Sequence, residues 1–166
     1  QKNQGVIFGH RRLAIIDLSQ DGHQPMMDIV SGNSITFNGE IYNYRSLRDE
    51  LVAQGESFKT KTDTEVILVA YRHWGESFVE KLRGMFAFAL WDSAKDEVIF
   101  CRDRLGIKPL YYYEKQEQHR TLLFSSELRT LLKSDLVPRK LNPEGMQSYL
   151  WNGYVASKES TIIKDI

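Results

Sequence analysis

Apolar residues recur along the chain at two different spacings, and the change of spacing divides it into elements. Before residue 40 the runs are short and β-like: Gly5 to Gly9, Arg12 to Asp17 and Ser34 to Phe37, with the turn-rich stretch Ser19 to Pro25 between them. From Tyr44 the period lengthens, placing Tyr44, Leu47 and Leu51 on one helical face with Gly55 positioned to end the helix. A second helix is predicted from Asp63, a residue suited to the N-cap, with Val66, Ile67, Ala70 and Trp74 on its buried side. Met85 to Trp91 and Val98 to Arg102, joined by the polar turn Asp92-Ser93-Ala94-Lys95-Asp96, predict a buried antiparallel hairpin. Leu110 to Tyr113 and Thr121 to Phe124 predict two more strands around a polar loop. Glu127 to Lys133 and Asn142 to Trp151 predict helices, with Pro138 breaking the chain between them.

Strands in blocks, with helices between the blocks, predict an α+β layered architecture rather than a doubly wound parallel sheet. No internal repeat, low-complexity tract or Gly/Ser-rich linker divides the chain, so one domain is expected over residues 1–166. That length is enough to bury a real core. The 22 basic and 22 acidic side chains cancel, which argues against nucleic acid or an anionic membrane surface as a partner. The longest apolar runs, such as the one ending at Trp91, fall well short of the roughly 20 residues that span a bilayer, so a soluble protein is expected. The single cysteine, Cys101, excludes a disulfide within the chain and fits a reducing compartment, the cytoplasm. The chain opens on Gln1 and stops at Lys164-Asp165-Ile166, and both ends are expected to be cuts in a longer polypeptide.

Four segments stand out in order. They are Gly9-His10-Arg11-Arg12-Leu13-Ala14-Ile15-Ile16-Asp17, Phe37-Asn38-Gly39-Glu40-Ile41-Tyr42-Asn43, Thr62-Asp63-Thr64-Glu65-Val66-Ile67, and Gly84-Met85-Phe86-Ala87-Phe88-Ala89-Leu90-Trp91-Asp92 followed by Arg102-Asp103-Arg104-Leu105-Gly106-Ile107-Lys108-Pro109-Leu110-Tyr111-Tyr112. Together they resemble class II glutamine amidotransferases, and within these the asparagine synthetases, over nearly the whole chain. The resemblance implies an N-terminal-nucleophile hydrolase fold, a four-layer αββα sandwich of antiparallel sheets. Its first strand, carrying the catalytic cysteine, is expected to precede Gly9-His10 and to be missing here. It also implies the chemistry: an N-terminal thiolate attacks the glutamine side-chain amide, its own α-amine shuttles the proton, and water hydrolyses the resulting thioester. The implied partners are glutamine, the protein's own C-terminal synthetase domain and a second copy of the parent in a homodimer. No cofactor or metal is implied for this domain, whereas ATP and magnesium belong to the absent synthetase domain.

Carried over residue by residue, the resemblance gives each candidate a role beside its ordinary one. Arg12 matches the arginine that holds the substrate carboxylate, a task suited to a planar guanidinium; otherwise it is a surface strand residue, and Arg11 is its competitor. Asn38-Gly39 is by itself the strongest short signal for a type I′ hairpin turn. The resemblance makes the Asn38 amide and the Gly39 N–H an oxyanion hole, and a tight turn is compatible with both. Glu40 either helps to bind the substrate ammonium or starts the following strand. Asp63 caps its helix, and by resemblance it also pairs with the glutamine α-ammonium.

Cys101 lies in an apolar strand-like run with no free amine beside it and reads as core. His10, His23, His73 and His119 show no zinc-like spacing, so no metal site is predicted. Tyr111-Tyr112-Tyr113 reads as a strand with alternating buried and exposed rings, and Arg102-Asp103-Arg104 as a structural charge cluster where strand meets turn. The leading expectation is therefore the glutamine-hydrolysing half of an asparagine synthetase, inactive as this piece alone. Two alternatives stay open: a binding module that kept the pocket without a nucleophile, and an amidotransferase half serving another acceptor in surface polysaccharide or antibiotic synthesis.

Overall fold

The computed structural model describes residues 5–11, 22–116, 120–157 and 159–166. The chain forms two compact units, Gln1–Lys108 and Pro109–Ile166. In the first, strands β1 (Met26–Met27), β2 (Ser34–Ile41), β3 (Gly84–Asp92) and β4 (Glu97–Arg102) make an antiparallel sheet in the order β1-β2-β3-β4. Between β2 and β3 the chain forms helices α1 (Tyr44–Ala53) and α2 (Asp63–Trp74), a 3₁₀ turn Gly75–Ser77 and the short helix α3 (Phe78–Lys81).

Side chains alternate across the sheet, and the two faces differ in kind. Ile35, Phe37 and Ile41 of β2 join Phe86, Phe88 and Leu90 of β3 in one buried cluster with Leu47, Leu51, Val66, Ile67, Ala70 and Phe78 of the helices. Val66 to Tyr71 are all buried, so α2 is enclosed on nearly every side rather than on one stripe. Its N-terminus is capped by Thr62, whose hydroxyl accepts from Glu65 N–H at 3.2 Å. Helix α1 ends as its glycine predicts: the N–H of Gly55 (φ +93°) reaches Val52 O and the N–H of Glu56 reaches Leu51 O, each at 3.0 Å, a Schellman closure.

In the second unit β5 (Tyr111–Gln116) and β6 (Arg120–Ser125) pair antiparallel, and α4 (Leu128–Lys133) adds Leu131 to a small cluster with Tyr113 and Val137. Tyr113 is buried, Tyr111 half-buried and Tyr112 exposed, the alternation expected of this strand. Helix α5 (Pro143–Asn152) begins with Asn142 accepting from Glu144 N–H, takes Pro at its first position and stops at the left-handed Gly153. No helix among the described residues is long and apolar enough to cross a membrane.

Two predicted elements change. Gly5 to Gly9 forms no strand; its two glycines give a ladder little to pack, and Ile7 is 93% exposed. The strand predicted at Ser34 to Phe37 runs on to Ile41, because the residues after Phe37 pair with β3. The strand predicted for Arg12 to Asp17 lies outside the described residues.

Candidate active site

The N–H groups of alternate residues in a strand point to the same edge. In β2, Phe37 donates to the Gln24 side chain (Oε1, 2.6 Å) and Ile41 to the Asp63 carboxylate (Oδ2, 3.0 Å). Tyr42, of the opposite parity, donates to Arg83 O at 2.8 Å and so prolongs the ladder towards β3. Gly39, midway between Phe37 and Ile41, therefore directs its N–H to the edge away from β3. Among the described residues no group accepts from it, and none bonds the Asn38 side chain.

Asn38-Gly39 is thus not a hairpin turn. Asn38 lies opposite Ala87 and Gly39 opposite Phe86 in the β2–β3 ladder, and the long-range pairing overrides the local turn signal. Glycine is needed for another reason: φ is +152°, and a Cβ would stand 2.2 Å from Met85 O and 2.6 Å from Phe86 Cα. Strand β3 presses this close to the backbone of β2. Glu40 does not start a strand either; it lies inside β2 opposite Met85. By alternation Thr36, Asn38 and Glu40 share the sheet face turned away from the helices, and His10 reaches that face, its Nδ1 lying 3.1 Å from Thr36 Oγ1.

Asp63 is the first residue of α2 rather than its cap, because the Thr62 hydroxyl occupies that role. The Thr62–Glu65 spacing of a capping box was the signal for this. The Glu65 carboxylate itself turns to the Lys59 and Thr60 N–H groups at 2.7 and 2.6 Å. Freed from capping, the Asp63 side chain reaches across to β2, and only 5% of the residue is exposed. Burial pushes its carboxyl above the ordinary aspartate value of 3.8. The N–H groups of Ile41, Thr64 and Asp63 itself oppose the rise, and the charge of Glu40 adds to it. Among the described residues no cation pairs with the Asp63 carboxylate, and Glu40 adds a like charge beside it. The Asn38 amide and the Gly39 N–H are the donors that remain without a partner among the described residues.

Beyond β4 the chain is held by a second buried aspartate. Asp103 accepts from Phe86 N–H at 3.2 Å, Ile107 N–H at 2.9 Å and Lys108 N–H at 3.0 Å, and Arg102 donates to Gly106 O and Lys108 O, both at 2.6 Å. Arg102 and Asp103 are therefore structural, as expected. Cys101 lies on the helix-covered side of β4 against the core, and burial pushes its thiol up. Arg12 lies outside the described residues. Gln24, buried at the strand edge, has no counterpart among the residues singled out from the sequence, since its partner Phe37 is 13 positions away with no periodic relation to it.

The model of the glutamine amidotransferase domain family matches residues 1–166. Two Bacillus subtilis proteins are similar in sequence. Asparagine synthetase [glutamine-hydrolyzing] 3 is 37% identical over 97% of this chain, and asparagine synthetase [glutamine-hydrolyzing] 1 is 44% identical over 89% of it. The chain spans about a quarter of these relatives, 26% and 23% of their lengths. Among solved structures, the glutamine phosphoribosylpyrophosphate amidotransferase from B. subtilis superposes with a TM-score of 0.54 at 22% identity, covering 68% of this chain and 26% of that one. That likeness carries the fold, an α+β N-terminal-nucleophile hydrolase type with antiparallel sheets, here of four and two strands among the described residues. The chain belongs to the class II glutamine amidotransferase domain family and is related to the glutamine-hydrolysing asparagine synthetases.

Proposed function

We propose that this chain is the glutamine-binding, ammonia-releasing half of an asparagine-synthetase-like enzyme, with its oxyanion hole at Asn38 and Gly39 and its ammonium site at Asp63, assisted by Glu40. The observation that carries this is the edge of β2, where among the described residues the Gly39 N–H has no acceptor and the next N–H of the same parity, Ile41, is taken by a buried carboxylate that burial holds above its ordinary pKa. An α-amino acid with a side-chain amide carries the two complementary groups, an ammonium for Asp63 and a carbonyl oxygen for the donors. Arg12, by its place in the motif, is assigned the substrate carboxylate.

In this assignment the thiolate comes from an amino-terminal cysteine of the full protein, and its own α-amine handles the proton. The thiolate adds to the amide carbon, and the oxygen takes up the negative charge against Gly39 N–H and the Asn38 amide. Collapse breaks the C–N bond, and the departing nitrogen receives the proton and leaves as ammonia. Water then cleaves the glutamyl thioester to glutamate and free thiol. Transfer of ammonia to an ATP- and magnesium-dependent synthetase part, which makes asparagine from aspartate, is assigned to the remaining length of the protein.

The test is ammonia release from glutamine by the full-length protein. Asn38→Ala is expected to lower kcat about a hundred- to a thousandfold with a smaller change in KM. A near-normal kcat for that variant overturns the oxyanion assignment.

A further inference from the structure

We infer that Gln24 is a positioning residue for glutamine hydrolysis: its side chain ends the pairing of β2 with β1, so that the Gly39 N–H is left open. This role rests on the function proposed above.

Strand β1 pairs with β2 at Met27↔Ser34 and Met26↔Ile35. Continuing that antiparallel register by two residues brings position 24 opposite Phe37, and by two more brings Gly22 opposite Gly39. If main-chain pairing ran that far, the Gly39 N–H would be consumed by the ladder. It stops instead. At position 24 the side-chain oxygen, not the main chain, accepts from Phe37 N–H at 2.6 Å. Gln24 is 6% exposed, so this bond is shielded from water, and no buried side-chain polar atom among the described residues lacks a partner. Two steps further along the same edge, Asp63 takes the Ile41 N–H by the same device, a buried side-chain oxygen in place of a strand.

The edge is thus closed at Phe37 and at Ile41 by side chains, and among the described residues it is open between them. Both neighbours of Gly39 on that edge are held by buried side-chain oxygens, and on its other side β3 packs so close that a side chain would begin 2.2 Å from Met85 O and 2.6 Å from Phe86 Cα. An oxyanion donor works through being held in place before charge develops, so the bond at Phe37 contributes to the transition state more than to substrate affinity.

The experiment compares two substitutions in the full-length protein. Gln24→Met keeps the length of the side chain and removes the acceptor; Gln24→Glu keeps the acceptor. Gln24→Met is expected to lower kcat for glutamine hydrolysis about tenfold with KM within about twofold, the loss of one buried hydrogen bond. Gln24→Glu should stay within about threefold of wild type. If Gln24→Met does not fold, Gln24→Asn, which withdraws the oxygen by one methylene, should show the same selective fall in kcat. An acceptor-less variant with wild-type kcat overturns the inference, as does a Gln24→Glu protein that loses as much as Gln24→Met. Wild-type protein that releases no ammonia from glutamine refutes the proposed function itself. Intact turnover with a normal Gln24→Met refutes only the role of Gln24.

Discussion

Asp63 and Asp103 are both buried aspartates of the first unit, with 5% and 6% of their surface exposed, and their carboxyl groups are displaced in opposite directions. For both, burial is the largest influence and disfavours the charge. At Asp103 the N–H groups of Lys108, Ile107, Phe86 and Leu105 outweigh it, and the carboxyl falls below 3.8. At Asp63 the N–H groups of Ile41, Thr64 and Asp63 itself do not, because the group lies deeper in the protein and Glu40 adds a like charge. Asp103 is covered chiefly by the loop it organises, and its lone pairs are filled. A carboxylate with its donors complete is structural; one held deep with its charge uncompensated fits the ammonium role proposed for Asp63.

The sharpest way to break this contrast is to neutralise each aspartate with the same isosteric change. In the full-length protein, Asp63→Asn is expected to weaken glutamine binding about ten- to a hundredfold, the effect of losing one charge-assisted contact of about 1.5–3 kcal/mol. Unchanged affinity in a calorimetric titration would remove Asp63 from the site. The parallel change at the other aspartate moves stability instead. Asp103→Asn replaces an acceptor of several N–H groups with a single carbonyl oxygen and should cost about 1–3 kcal/mol at neutral pH. Glutamine affinity should stay within about threefold. A thermal melt and a titration on the same preparation separate the two outcomes, and a variant as stable as wild type would mean that the loop after β4 holds itself.

Much of the frame around these residues was legible before any coordinates. Helix α1, helix α2 and the β3–β4 hairpin follow from apolar spacing alone, although α2 and β3 turn out to be buried on both sides rather than on one. The site was less legible, for reasons that differ by residue. Asn38-Gly39 carries a true signal for positive φ, but a turn and a close approach of two strands need the same glycine, and only the pairing with Ala87 and Phe86 decides between them. Asp63 was misplaced by one position because Thr62 caps more directly, although the Thr62–Glu65 spacing was available. Gln24 left no local trace, since a side chain that substitutes for a strand has no period. The roles given to Asn38, Gly39, Glu40, Asp63 and Arg12 came from the motif resemblance, and the uncompensated charge at Asp63 could be recognised only once its depth was known.

The contrast also makes a pH prediction whose sign differs between the two residues, and its effect is the smallest of those expected. A group whose pKa is raised on folding binds its proton more tightly in the native state. It therefore adds stability below 3.8, and that contribution is lost as pH rises through the folded pKa; this is Asp63. A group whose pKa is lowered adds stability above 3.8 and loses it as pH falls through the folded pKa; this is Asp103. Measured against wild type, Asp63→Asn should therefore gain in relative stability on going from pH 3 to pH 7, while Asp103→Asn should lose over the same interval. Glutamine affinity should follow the ionised form of Asp63 and weaken as pH falls through its raised pKa, a dependence that Asp63→Asn abolishes and Asp103→Asn retains. Denaturant melts of the three proteins across that range provide the check, because the charge of every other group cancels in the comparison with wild type. Two difference curves sloping the same way would mean that the carboxylates do not differ in kind, and the assignment of Asp63 as the uncompensated acceptor would fail with them.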